Sequence, residues 1–225
     1  MSIEVDGKIN REERLPCVLI VDGSDSMSAN SDNAGRAIDL LNQALVVFQQ
    51  DLQSDEIASL RVQVLVVRVG GIADVAADWA DAINFAAPTI ALGGGTPLGA
   101  GIDLALSKID QQLDMLKAKG IKRKKPWIFL MTDGQPTDGQ EWEDAAARLR
   151  QAQLDGKVLA FPIAIGSGSS PQELKKAVPP ERPVVQVEAA KFKEMFKFIS
   201  YSSRSASKGP EGAQQDMGMW GKVVA

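Results

Sequence analysis

The sequence has no histidine, one cysteine (Cys17), one tyrosine (Tyr201) and only 5% aromatic residues across 225 positions. Without histidine the commonest general base and metal ligand is missing, so histidine-based catalysis and His-type zinc sites are excluded. A single cysteine can form neither an intrachain disulfide nor a thiolate zinc site, and a reducing compartment is the simplest setting. No run of eighteen apolar residues occurs, so no segment is a candidate membrane span. The opening stretch "MSIEVDGKINREERLP" lacks an apolar core of signal-peptide length, and the expectation is a cytoplasmic protein. Strong charge of either sign is missing too. The net charge of −4 argues against wholesale nucleic-acid binding.

What remains is an ordinary globular composition, 44% hydrophobic and 24% charged, at a length that suits one large α/β domain. Four short apolar runs rich in β-branched residues read as buried parallel strands: "CVLIVD" (17–22), "RVQVLVVRVG" (61–70), "PWIFLMTD" (126–133) and "VLAFPIAIG" (158–166). A weaker fifth is "PVVQVE" (183–188), and the start of "GIADVAADWADAINF" reads as a short edge strand. Helical stripes lie between them. Ala34, Ile38, Leu41, Leu45, Phe48 and Leu52 form one, and Leu98, Ile102, Leu106, Ile109, Leu113 and Leu116 another. Trp142, Ala145, Leu149 and Ala152 form a third, closed by Gly156, and Phe192, Phe196 and Ile199 mark a last helix. Strand alternating with helix predicts an α/β, doubly wound, Rossmann-like fold: a mostly parallel central sheet with helices on both faces. The expected organisation is an N-terminal extension over 1–14, one domain over 15–203, and a mobile Gly/Ser/Gln-rich tail over 204–225 that ends in Met217, Met219 and Trp220.

The first strand runs into "DGSDSMS", five oxygen-bearing side chains (Asp22, Ser24, Asp25, Ser26, Ser28) within seven residues. Ligands of open α/β sheets bind beyond the carboxyl ends of the strands, where strand order reverses. In the order 3-2-1-4-5-6, the strands ending at Asp22 and Asp133 are neighbours across that crevice. The loop "ALGGGTPLGAG" (91–101) could bring Thr96 to the same edge. Each piece has a bland reading. The serines suit a helix cap, Thr96-Pro97 an N-cap and first helical residue, and Asp133-Gly134 a turn. Their coincidence at one edge favours a site of hydroxyl and carboxylate oxygens, the donors of Mg²⁺, Mn²⁺ or Ca²⁺.

Asp22-Gly23-Ser24-Asp25-Ser26, then Thr96, then Asp133-Gly134 resemble the DxSxS…T…D pattern of the metal-ion-dependent adhesion site (MIDAS) in von Willebrand factor A (VWA) domains. More narrowly, "RLPCVLIVDGSDSM", "GGGTPLGAGIDLAL", "WIFLMTDGQPTD" and "FKFISYSSRSAS" resemble the bacterial tellurium-resistance, TerY-like branch. The resemblance implies that Ser24, Ser26 and Thr96 are direct ligands of a divalent cation, Mg²⁺ before Mn²⁺ or Ca²⁺. It places Asp22 and Asp133 on the ion or one water away. It also implies a non-enzymatic module whose protein partner completes the coordination with an Asp or Glu, in a tellurite-resistance or stress system. The partners there would be other Ter proteins or an associated kinase or phosphatase. Asp25 departs from the pattern, since many relatives carry glycine there.

Two other functions compete. Strand-terminal aspartates at a switch point also serve Mg²⁺-dependent phosphohydrolases, but the second carboxylate of an Asp-x-Asp pair is replaced here by Ser24. A vacated site would leave a metal-free interaction scaffold. The basic run "KAKGIKRKKP" (117–126) reads as a solvated connector, with no aromatic interleaving to suggest nucleic acid. Cys17 reads as a small buried hydrophobe.

Overall fold

The structure, a computed structural model, describes residues 4–5, 8–30, 34–166, 169–209 and 222–224. Strands β1 (Leu15–Asp22), β2 (Val62–Gly70), β3 (Ile72–Asp81), β4 (Trp127–Thr132), β5 (Leu159–Ile165), β6 (Val184–Val187) and β7 (Lys222–Val224) form one sheet in the order 3-2-1-4-5-6-7. The five strands from β2 to β6 run parallel, and β3 and β7 close the two edges antiparallel. β1 and β4 are therefore neighbours, and their carboxyl ends share one crevice, as the sequence predicts.

The central strands are apolar along their whole length because both faces are covered. Cys17, Leu19 and Val21 face the layer of α1 (Ala37–Gln53) and α6 (Phe192–Lys208), while Val18 and Ile20 face α3 (Leu98–Ala118) and α4 (Gln140–Leu154). Two short helices, α2 (Glu56–Arg61) and α5 (Pro171–Lys175), complete the layers. Burial pushes the Cys17 thiol up to about 12, against the opposing hydrogen bond with Ser203, so this cysteine is an inert core residue.

Three expectations need correction. The segment after β2 is no short strand: β3 runs for ten residues back along β2. Its alanines and aspartates have little strand propensity, but pairing with β2 overrides that preference. The reversal happens at Gly71, whose φ of 68° is open to glycine at no steric cost. Trp79 then packs toward α3 and donates its indole N–H to the Lys108 carbonyl. Second, the boundary at 203/204 falls inside α6, which continues to Lys208 and is tied down by a Lys208–Asp55 ion pair at 2.6 Å. Further along, Lys222–Val224 pair with β6, while Met217, Met219 and Trp220 lie outside the described residues. Third, the N-terminal extension joins the domain before residue 15. The Arg14 guanidinium donates from Nε and NH2 to the two carboxylate oxygens of Asp81, each at 3.1 Å, with both side chains buried. Gln63 and Asn10 also donate to Asp81, and Gln112 donates to Gln63. This polar cluster sits at the amino-terminal end of β1, the far end of the sheet from Asp22.

Among the described residues no helix is long and apolar enough to cross a membrane.

Candidate metal centre

Asp22 ends β1 fully buried, so its carboxylate must be satisfied by neighbours. One oxygen accepts the Ser24 amide at 2.8 Å. The other accepts the Thr132 hydroxyl at 2.5 Å and the Asp133 amide at 3.3 Å. The chain then turns through a single 3-10 turn, Asp25–Ser28, anchored by buried Met27. That turn brings every second side chain to one side: Ser24 Oγ lies 2.9 Å from Ser26 Oγ, and Ser26 donates to Asp133 Oδ1 at 2.6 Å. The other two oxygen-bearing residues of the stretch go elsewhere. Asp25 is exposed, and its amide donates to the Gly94 carbonyl, while Ser28 donates to the Asp25 carbonyl at 2.6 Å.

Thr96 arrives from the third loop and is 3% exposed. The helix after it begins at Leu98, with Pro97 as its N-cap and no capping side chain of its own. The reading of Thr96 as an N-cap is therefore not what the structure adopts. Its hydroxyl is unclaimed by any hydrogen bond among the described residues. Gly134 marks where it points: a Cβ built there would lie 3.5 Å from Thr96 Oγ1 and 3.8 Å from Ser26 Oγ. All five residues singled out in the sequence thus converge at the carboxyl edge between β1 and β4.

Backbone hydrogen bonds tie the three loops together. Gly93 donates to Gly23, Asp25 to Gly94, Gly71 to Gly95 and Thr137 to Thr96, at 2.7–3.0 Å. Side chains held by such fixed backbone do not have to reorganise to meet a ligand.

The electrostatics favour a cation. Burial pushes Asp133 up to about 6, the neighbouring Asp22 charge adds to the rise, and the Ser26 hydrogen bond opposes it. Two carboxylates beside three hydroxyls make an oxygen-only donor set. That set fits Mg²⁺, Mn²⁺ or Ca²⁺ and gives softer metals nothing they prefer. The Thr96 side chain is 3% exposed with its hydroxyl still open to solvent, so that oxygen is free to take a ligand.

Two residues here escape a reading of sequence alone. Thr132, buried and adjacent to Asp133, orients Asp22 and also accepts the Gly134 amide at 3.1 Å. Asp138, in the loop between β4 and α4, accepts the Ala100 amide of α3 at its Oδ2, at 3.1 Å. Thr132 ends a strand and Asp138 lies in the loop after it, and only the fold gives them partners.

The family model of the von Willebrand factor type A domain matches residues 17–200. No curated protein matches the sequence. Solved structures with the same fold include a von Willebrand factor type A protein from Catenulispora acidiphila. It is 18% identical, with a TM-score of 0.59, over 85% of this chain and 43% of that one. Proximal thread matrix protein 1 from the mussel byssus, in a form described as having a zinc-occupied MIDAS motif, is 16% identical with a TM-score of 0.56. That match spans 84% of this chain and 48% of the mussel chain. The von Willebrand factor domain of the type V pili tip protein Mfa5 from Porphyromonas gingivalis is 10% identical, with a TM-score of 0.62, over 90% and 99% of the two chains. The chain thus spans less than half the length of the first two. With the model matched over most of its length, on the sheet order and helix layers described above, this chain belongs to the von Willebrand factor type A domain family.

Proposed function

We propose that Asp22, Ser24, Ser26, Thr96 and Asp133 hold one divalent cation, and that the chain works as a non-enzymatic binding module. A protein partner supplies an aspartate or glutamate to the ion's remaining position. The carrying observation is the convergence of five oxygen donors from three hydrogen-bonded loops, with Thr96 Oγ1 unclaimed and two carboxylates too close to be comfortable without a cation. No histidine exists and the one cysteine is buried, so the site lacks the usual nucleophile–base pair.

Mg²⁺ is the proposed ion. Adjacent oxygens around an octahedral Mg²⁺ lie about 2.9 Å apart, against about 3.4 Å for Ca²⁺, given their usual metal–oxygen lengths. The Ser24 and Ser26 hydroxyls stand at 2.9 Å as a hydrogen bond between themselves, a spacing compatible with Mg²⁺ that does not by itself select it. With direct hydroxyl ligands adding no charge, the bound ion keeps net positive charge and attracts an acidic side chain. The narrower reading, a TerY-like protein acting in the cytoplasm with other Ter proteins or an associated kinase or phosphatase, is supported by the resemblance of its four motif segments to that branch.

A pull-down with wild type and Asp22→Ala, each with Mg²⁺ and with EDTA, tests the module. Partners retained by wild type with Mg²⁺ and lost in the other three arms are expected. Partners that bind equally with EDTA would contradict a metal bridge.

A further inference from the structure

Asp138 belongs to none of the five proposed ligands, yet it carries a structural oddity. Its Oδ2 accepts the Ala100 amide, while Oδ1 is the one buried side-chain oxygen or nitrogen without a hydrogen-bond partner among the described residues. Buried unpaired polar atoms are costly and call for an explanation.

What keeps Asp138 in this buried place is its other oxygen, Oδ2, and the reason lies at the start of α3. Its first turn, Leu98-Gly99-Ala100-Gly101, has two glycines and no capping side chain of its own, so it is a weak start for a helix. Both glycines are required by close approach. A Cβ at Gly99 would sit 2.7 Å from the Glu141 carbonyl, and one at Gly101 would sit 2.4 Å from Val69 Cγ1. The turn is wedged between the start of α4 and β2, and it cannot gain stability from larger side chains. It must be held from outside. Asp138 does this by accepting an amide of the first turn, where a negative charge also suits the helix dipole. One residue earlier, the Thr137 amide donates to the Thr96 carbonyl at 3.0 Å. Together the two contacts fasten the α3 start, and Thr96 just before it, to the loop that carries Asp133.

We infer that Asp138 is a positioning residue of the metal centre: by capping α3 from the β4–α4 loop, it fixes the Thr96 hydroxyl beside Gly134, next to Asp133 in that loop. This role rests on the cation reading proposed above. Outer groups that orient ligands typically contribute 10–100-fold to metal affinity.

The test is Mn²⁺ titration of wild type, Asp138→Ala, Asp138→Asn, Thr96→Ala and the Thr96→Ala/Asp138→Ala double variant. Water-proton relaxation is followed on the Mn²⁺-loaded forms. Asp138→Ala is expected to lose about tenfold in affinity. It should also raise relaxivity, because a displaced Thr96 hydroxyl admits a water to the ion. Asp138→Asn keeps an acceptor for the Ala100 amide and should restore most of the affinity. In the Thr96→Ala background the Asp138→Ala change should cost nothing further, since its effect runs through Thr96. Equal losses in both backgrounds, or unaltered affinity and relaxivity in Asp138→Ala beside a wild type that binds, overturn the role. A wild type that binds no Mn²⁺ overturns the cation reading first, and this role with it.

Discussion

Asp133 is the residue whose chemistry most directly connects structure to conditions. Its carboxyl is raised to about 6 by burial and by Asp22, above the ordinary aspartate value, so without a cation its contribution to folding is greatest at low pH and is lost as pH rises through about 6. A bound cation reverses the preference, because it needs the ionised form. The rise in melting temperature on adding Mg²⁺ should therefore be larger at pH 7.5 than at pH 5. In EDTA at pH 7.5, Asp133→Asn should melt above wild type, since it removes the charge that Asp22 opposes. Thr132→Val should weaken Mg²⁺ binding by about tenfold in calorimetry while leaving the fold intact, because Asp22 loses the hydroxyl that aims it. The five candidate ligands were legible in the sequence because oxygen side chains crowd the ends of recognisable strands. Thr132 and Asp138 were not, because their partners, Asp22 and Ala100, lie 110 and 38 residues away in sequence. Asp25 was legible only as an anomaly. Its exposure shows that the loop uses its backbone amide and leaves its charge at the rim.

At the scale of elements, the site depends on how closely three loops and one helix start approach each other. Gly101 faces Val69 so tightly that Gly101→Ala must push a β2 side chain or shift α3. Overpacking of this kind costs about 1–3 kcal/mol, measurable as a lower urea midpoint with an unchanged slope. Because α3 begins two residues after Thr96, the same substitution should weaken Mg²⁺ binding. The buried parallel strands and the α3 stripe could be read from apolar runs and helical spacing. β3 was legible only as a short edge strand, and not at its full length, since "ADVAADWAD" has the composition of a helix or loop. Only the Gly70-Gly71 reversal and the ladder with β2 make it a strand. The helix starts were legible to within a few residues, though the cap expected at Thr96 passes to Asp138.

Across the whole molecule, the two ends of the sheet carry different duties. The carboxyl end concentrates the hydroxyls and carboxylates of the proposed cation site. The amino-terminal end seals itself with the Arg14–Asp81 pair and the amides of Asn10, Gln63 and Gln112. Arg14→Ala would leave Asp81 buried without its charge partner, at a cost of about 3 kcal/mol in denaturant unfolding. β1 separates that pair from the site by eight residues, roughly 25 Å of strand, so Mg²⁺ affinity of the folded variant should stay at the wild-type value. Sequence reading placed a boundary before this end because residues 1–14 look like a polar extension. The buried ion pair is formed with a residue 67 positions away, which no local pattern announces.

The central claim is that five oxygen ligands hold one cation. It is tested most directly by calorimetric titration of Mg²⁺ and Mn²⁺ into wild type, Asp22→Ala and Thr96→Ala at pH 7.5, with circular dichroism confirming that each variant is folded. The account predicts one site per chain in wild type, clear loss in both variants, and a heat that diminishes below pH 6. A folded wild type that takes up neither ion, or folded variants that bind as tightly as wild type, would contradict it.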